Sequence, residues 1–476
     1  MQNKKWLLAF VCFLLAATML LPSCGGGGKK GANTTPETQP PAVQGDPLKE
    51  MLPDKQYDSD FHIWNYFAEE AFCAREEDGD PIRTVEVQRT LYIEERFGVT
   101  LTSNKSGSYE QLKASQMSGG GEFDLIYPHP TSGIVDLMTS GSCANMLDLE
   151  YLHFGEDWWN QSQVENYTAN GKLYLCVNDM SICGQSLLGL VYNRDRYAKY
   201  EFEDDLHDVA MSKNFTLEYL GNMLKACKSE MQGENASTAE YGLLFQTDSS
   251  RRWMWALGER ILTKNTDGEF EVALTAAPLT NMCKKLYTLL YETGDVLVEQ
   301  TGGNAVFPTS NLWTTFSSGR ALMTTFNIGS LHPLLRELEF DYGFLPLPKL
   351  DDLQEDYLVV EASSLVAIPA RPKNLEMSGV ILEAYAIYSY QKLRPAFFDV
   401  ILMGRLSENP DDYEMLEFLH TSKFYDFGFT LDVNGDALGI INAVIVDKKA
   451  PDSAAIYLRS KTNALNALVT LANTIE

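Results

Sequence analysis

A chain of 476 residues is long enough for two domains of ordinary size, and its 45% hydrophobic content implies packed interiors and excludes a collagen-like or coiled-coil chain. Its 65 acidic against 38 basic residues give a net charge of -27 at pH 7. That balance excludes an unaided grip on the phosphates of nucleic acid or on anionic lipid head groups.

Lys4 and Lys5 precede an apolar run from Trp6 to Leu21, the basic and hydrophobic regions of an export signal. A transmembrane anchor is the competing reading, but the run is shorter than the roughly 20 residues a spanning helix needs. LPSC, ending at Cys24, resembles the bacterial lipobox, with Pro22 at a usually small position. The resemblance implies cleavage before Cys24 and lipid on its sulfur, so that residues 1–24 are a lipoprotein signal peptide and Cys24 is the point of attachment to the outer face of the cell membrane. Residues 25–56, which include GGGGKKGANTTPETQPPAVQGDP, have no apolar periodicity and read as a flexible tether. No later run is long and apolar enough to span a bilayer.

The folded part opens on YDSDFHIWNYF, where Phe61 and Ile63 alternate with polar neighbours as in a strand. VEVQRTLYIEERFGV reads as a helix with Val85, Val87, Leu91 and Phe97 on its buried side, ended by Gly98. A short strand near Val99–Thr102, a helix in SYEQLKASQMSGGG and a strand in EFDLIYPHP follow. Strand and helix alternate as in an α/β lobe around a largely parallel sheet, where ligands sit beyond the carboxyl ends of the strands. Further along, FTLEYLGNMLKACKSE and APLTNMCKKLYTLLYETG read as long helices, and GRALM as helix-like. Pro346 and Pro348 mark a strand leaving its sheet. SSLVAIPA reads as a short strand and MSGVILEAYAIYSYQKL as an amphipathic helix. The tail from Asp436 reads as helical packing without chemical motifs. α/β texture returning after a second body, with no linker, points to two lobes whose chain crosses more than once.

Six cysteines lie beyond Cys12 and Cys24: Cys73, Cys143, Cys176, Cys183, Cys227 and Cys283. Their pairing is open, as buried free thiols are as compatible with the spacing as disulfides. Cys176 and Cys183 are close enough to staple the polar loop of GKLYLCVNDMSICGQSLLGLVYNRD. The six histidines show no metal-binding spacing, and no nucleophile elbow, dinucleotide fingerprint or phosphate loop occurs. No cofactor, metal or catalytic residue is expected, although abundant carboxylates leave a glycosidase pair open.

Residues suited to a polar, neutral ligand do stand out. Trp64 and Asn65 end the first strand, Tyr109 follows a Gly-Ser turn, and His129 follows the DLI strand. Trp313 precedes GRALM; Asn327 and Ser330 follow it. Asn178 and Asp179 lie in an otherwise apolar segment. Aromatic rings offer faces for a sugar, and amides and hydroxyls offer donors and acceptors for its OH groups. Against this, any one aromatic can be core, and Asp179 can simply cap a loop. GEDWWN reads as a surface helix turn tucked against a core.

Several segments, in order, resemble the extracellular solute-binding proteins of bacterial ABC importers, sugar-binding class, the maltose-binding-protein group. FHIWNY and YIEERFGVTL resemble the family's first strand and the following helix and strand. SYEQLKASQMSGGGEFDLIY resembles the helix, glycine-rich turn and aspartate strand. GKLYLCVNDMSICGQSLLGLVYNRD resembles the first crossover, and FTLEYLGNMLKACK a helix start with Leu217 for the usual Trp. FSSGRALMTTFNIGS, DYGFLPLPK and SSLVAIPARPKNLEMSGVILEAYAI complete the series to about residue 400. The resemblance implies an α/β, two-lobed periplasmic-binding-protein-like fold with multiple chain crossovers. One lobe would comprise residues 57–186 and 358–405, the other 187–357 and 406–476. It also implies a monomer that closes on a sugar or oligosaccharide and docks on ABC permease membrane subunits. YPHPTSG, and NIGSLHPLL without the usual Trp after its glycine, depart from the pattern and leave the ligand class open. A non-transport surface lipoprotein of the same fold and a polysaccharide hydrolase are the alternative readings.

Overall fold

Among the described residues, twelve strands carry the fold of the computed structural model: β1 Ser59–Asn65, β2 Val99–Ser103, β3 Leu125–Tyr127, β4 Leu188–Asn193, β5 Tyr241–Gln246, β6 Leu262–Lys264, β7 Phe270–Val272, β8 Val296–Glu299, β9 Ala321–Asn327, β10 Tyr342–Leu345, β11 Val359–Val360 and β12 Lys423–Phe424. The structure describes residues 46–475 except 67–69, 105–106, 185–187, 228–237, 248–249, 294, 300–310, 328–333, 336, 361–364, 403–408, 433 and 436–437.

The first sheet is parallel, in the order β2-β1-β3. Phe61 and Ile63 are fully buried, and each large apolar side chain taken from water contributes about 1.5–3 kcal/mol. The helix Pro81–Phe97 joins β1 to β2. The Asp80 carboxylate caps it by accepting from the Ile82 N–H at 2.8 Å, and Gly98 ends it in the left-handed region at φ 60°. Its buried face runs through Ile82, Glu86, Val87, Arg89, Thr90, Ile93 and Phe97, which leaves Leu91 54% exposed, not buried as the spacing suggested. Arg89 takes up that face because both terminal nitrogens of its guanidinium find acceptors inside: they donate to the Ala71 and Met180 carbonyls at 2.8 and 2.9 Å, and the group lies over the Tyr385 ring.

The second sheet is mixed, in the order β10-β4-β9-β5-β8: β5 runs parallel to β8 and β9, while β4 is antiparallel to β9 and β10. β10 is an edge strand, in keeping with the prolines just after it. GRALM is not helical. The helix is Asn311–Ser317, Gly319 turns the chain at φ 72°, and β9 starts at Ala321, where Thr324, Thr325 and Phe326 give strand propensity.

The chain then returns to the first body. Ile126 of β3 and Ala367 exchange backbone bonds of 2.8 and 2.9 Å, and Cys176 bridges Val366 in the same manner. The helix Leu375–Tyr388 is not amphipathic: every side chain from Met377 to Ile387 is buried, and a π turn continues it to Leu393. The helix Arg394–Leu402 follows, then the helix Pro410–Thr421, which packs on β10, and finally the helices Leu438–Ile445 and Ser453–Thr474. Among the described residues no helix is long and apolar enough to cross a membrane. Cys73, Cys143, Cys176, Cys227 and Cys283 are free, so Cys176 staples no loop; its thiol is buried beside Met146 Sδ at 3.8 Å. The Cys183 side chain lies outside the described residues.

Candidate functional site

The carboxyl edge of the first sheet gathers Trp64, Asn65, Tyr109 and His129. Trp64 is fully buried, its ring centre 4.8 Å from that of Tyr109. Tyr66, just past β1, lies 5.7 Å from Tyr109 and 5.2 Å from the His129 ring, and all three are half-buried. The result is a patch of partly open rings over a closed indole floor.

Two glycines make the stack possible. A Cβ on Gly107 would sit 2.3 Å from Trp64 Nε1, and one on Gly133, already at φ 73°, 2.4 Å from the Tyr109 ring. Both rings are held in place by their neighbours, so neither glycine has a larger substitute.

Polar contacts fix the loops around the rings. The Asn65 N–H donates to Asn104 Oδ1 at 2.8 Å, and the Gly107 N–H donates to the Asn65 carbonyl at 2.7 Å. Asn65 is buried and spends its backbone on this lacing. The His129 N–H donates to the Tyr109 hydroxyl at 2.8 Å, and the Thr131 N–H donates to His129 Nδ1 at 3.2 Å, which leaves the ring proton of a neutral His129 on Nε2. Burial pushes the Tyr109 phenol up, so it stays protonated.

Asn178 and Asp179 lie elsewhere, on a cavity of about 290 Å³ also lined by Trp158, Trp159, Arg394, His420, Lys423 and Tyr425. GEDWWN is a turn and not a helix: Gly155 and Asp157 are exposed, while both indoles are tucked into the core at no more than 5% exposed. Asp179 Oδ2 accepts from Arg394 Nε at 2.8 Å, and Oδ1 pairs with His420 Nε2 at 2.9 Å. Lys423 Nζ stands 2.8 Å from His420 Nδ1. Burial, then the Lys423 charge, lower the His420 pKa to about 4, so its imidazole is neutral, accepts from Lys423 and donates to Asp179. Burial alone would raise the Asp179 pKa; His420 and Arg394 overcome it and hold the carboxylate well below the usual range.

Trp313 and Asn327 belong to the second body. Trp313, 7% exposed, packs beside Phe316 at 6.2 Å, and Asn327 ends β9, half-buried. Ser330 lies outside the described residues. The predicted residues thus fall into three groups: the aromatic edge, the crossover cavity, and the end of β9 with its preceding helix. A further cavity of about 320 Å³ between the helices Leu217–Cys227 and Ala276–Tyr287 is lined by Lys225, Lys284 and Lys285 and contains no predicted residue. Among the described residues no group of three or more His, Cys, Asp or Glu side chains is arranged to hold a metal.

Sequence reading did not single out Tyr66, Arg394, His420 or Lys423. Tyr66 had a signal, since it extends the Trp64-Asn65 strand end. The other three sit far along the chain in ordinary polar contexts and had none.

No protein-family model matches the chain, and no curated protein sequence does. Solved structures do match in fold. UgpB from Mycobacterium tuberculosis, in complex with glycerophosphocholine, has 15% identity and a TM-score of 0.56 over 86% of this chain and 98% of that one. The GacH receptor of Streptomyces glaucescens, solved unliganded and with acarbose, has 16% identity and a TM-score of 0.56 over 88% and 99%. A family 1 extracellular solute-binding protein from Bifidobacterium longum subsp. infantis has 13% identity and a TM-score of 0.54 over 85% and 99%. The fold is therefore two-lobed α/β, of the periplasmic-binding-protein-like architecture.

Proposed function

We propose that the chain is the extracytoplasmic solute-binding component of an ABC importer and binds its ligand without chemistry. The observation that carries the reading is the aromatic edge: Tyr66, Tyr109 and His129, half-buried over Trp64, at the carboxyl ends of a parallel sheet, where such folds present ligands. In this reading the lobes are residues 57–186 with 358–405 and 187–357 with 406–476. Trp313 and Asn327 would meet the ligand from the second lobe, and a ligand touching both lobes favours the closed state by its higher affinity for it.

Ring faces with neutral donors and acceptors suit a carbohydrate, and the acarbose bound by the GacH receptor keeps that class foremost. Glycerophosphocholine, in the UgpB complex, adds a second class, because aromatic faces also attract quaternary ammonium groups. Lipid on Cys24 would keep the monomer beside its permease.

The test is a thermal-shift screen of the chain from Gly31 onward against mono- and oligosaccharides, glycerophosphodiesters, amino acids and short peptides. Binding to the native state raises the melting temperature with dose. A rise with one chemical family, lost in Tyr66→Ala and His129→Ala, supports capture at the aromatic edge. Flat curves across the panel from a folded sample favour the non-transport lipoprotein, and release of cleaved sugar would point to the hydrolase.

A further inference from the structure

The crossover that enters the second sheet is clasped from both bodies by charged groups. Asp179 opens a short 3-10 turn, Asp179–Gly184, that leads into β4. Asn178 Oδ1 takes the Met180 N–H at 2.8 Å, and Arg89 of the first body donates to the Met180 carbonyl at 2.9 Å. On one side Asp179 binds Arg394, at the start of a helix that packs on Pro81–Phe97. On the other it binds His420, at the end of Pro410–Thr421. That second helix is fastened to the mixed sheet by Arg194, which grips Asp412 with two bonds of 2.9 and 2.8 Å and donates to the Tyr342 carbonyl at 3.0 Å. One buried carboxylate therefore joins a helix of each body.

We propose that Asp179 and His420 are positioning residues for ligand capture, forming an ionic joint that sets the angle between the two bodies without touching ligand. Both Asp179 oxygens are occupied by protein donors, and its side chain is 6% exposed. Arg394 is further held by Glu417 at 3.1 Å and lies over the Tyr390 ring. The charged and titratable groups facing His420 are Asp179 from the crossover, Arg394 from its helix and Lys423 from β12, with Glu417 one turn back on its own helix. The order Lys423 to His420 to Asp179 satisfies a cation, a neutral imidazole and an anion in turn. Charging His420 removes the acceptor Lys423 uses and sets two cations side by side, so Lys423 keeps the joint in one protonation state. The adjoining cavity, lined by Trp158, Trp159 and Tyr425 among others, leaves room for the bodies to turn about the joint.

The inference rests on the capture reading for its purpose only; the joint is measured without ligand. The experiment places nitroxides at Leu91→Cys and Leu353→Cys in the full chain, sites 54% and 91% exposed, and records their distance distribution by pulsed electron resonance, with the unsubstituted chain as labelling control. The parent should give one narrow distribution from about pH 8 to about pH 5.5, above the range in which His420 charges. Asp179→Asn and His420→Ala should broaden it or move its mean by about 3 Å or more. His420→Gln, which keeps an N–H donor, should lie closer to the parent.

Lys423→Met gives a readout that a merely structural role would not. Without that ammonium, His420 can charge beside Asp179, and the distribution should become pH-dependent over the same range. Asp179→Asn and His420→Ala traces that superimpose on the parent, or a pH-independent Lys423→Met, would overturn the joint. A perturbed joint with a flat ligand screen counts against the capture reading alone.

Discussion

The Glu383 carboxylate accepts the indole N–H of Trp158 at 2.8 Å in the interior of the first body. Trp159 donates to its other oxygen at 3.0 Å, and His153 approaches with its backbone N–H and, at 3.1 Å, with Nδ1. One buried acid on a largely apolar helix thus anchors both indoles of the GEDWWN turn, which line the crossover cavity.

Glu383→Gln keeps one acceptor oxygen and turns an amide donor toward an indole N–H, which should cost about 2–3 kcal/mol. Burial raises the Glu383 pKa against the opposing bonds from Trp158 and His153. For a raised carboxyl the protonated form favours the fold, so the contribution is fully present below the unfolded value and is lost as pH rises through the folded one. Urea unfolding of parent and variant across pH should show their gap narrowing upward from the ordinary glutamate range. A constant gap would contradict it.

His420 carries the opposite slope. Its folded pKa, about 4, lies below the ordinary 6.5, so the unfolded chain takes up a proton that the folded chain refuses. Stability should fall as pH drops from 6.5 toward 4, and Asp179, also depressed, should add a further loss below its ordinary 3.8. His420→Gln should flatten the upper limb, and melting curves in matched buffers would reveal it.

Gly107→Ala probes the aromatic edge. The new methyl would press on the Trp64 ring, and overpacking of this kind costs about 1–3 kcal/mol. The expected result is a lower melting temperature, together with loss of any ligand-induced shift found in the screen. An unchanged melting temperature would show that the indole gives way.

Tyr109→Phe removes the hydroxyl that accepts from the His129 N–H. Stability should drop by about 1 kcal/mol, with greater hydrogen exchange at that amide. If exchange at His129 stays at the parent rate, the bond does not hold the loop.

Much of the first body is legible from local pattern. Phe61 and Ile63 announce β1, and Gly98 announces the end of the following helix. Leu91 misled because Arg89, a charged residue, occupies the buried face, and carbonyls brought in from residues 71 and 180, with the Ser389 hydroxyl, make that tolerable. GRALM misled because a Gly-Arg turn before a β-branched run looks helical when read with its neighbours. Glu383 did carry a signal: a lone acid in MSGVILEAYAIYSYQKL needs buried donors, and the indoles of GEDWWN are the obvious supply. Of the joint, Asp179 stood out as a polar residue in an apolar segment, but Arg394, His420 and Lys423 did not, because they are brought to it only by the return of the chain.

The pairing of Ile126 with Ala367 also imposes an order on assembly. If the chain folds as it emerges from its amino end, β3 waits with an open edge until residue 367 has appeared. Every strand of the mixed sheet, residues 188 to 345, precedes it in the chain. The lobe begun first is therefore the later one to be sealed, and its bare edge is a template for mispairing during that interval. Chains truncated before residue 365 should be the ones that most need a holding chaperone.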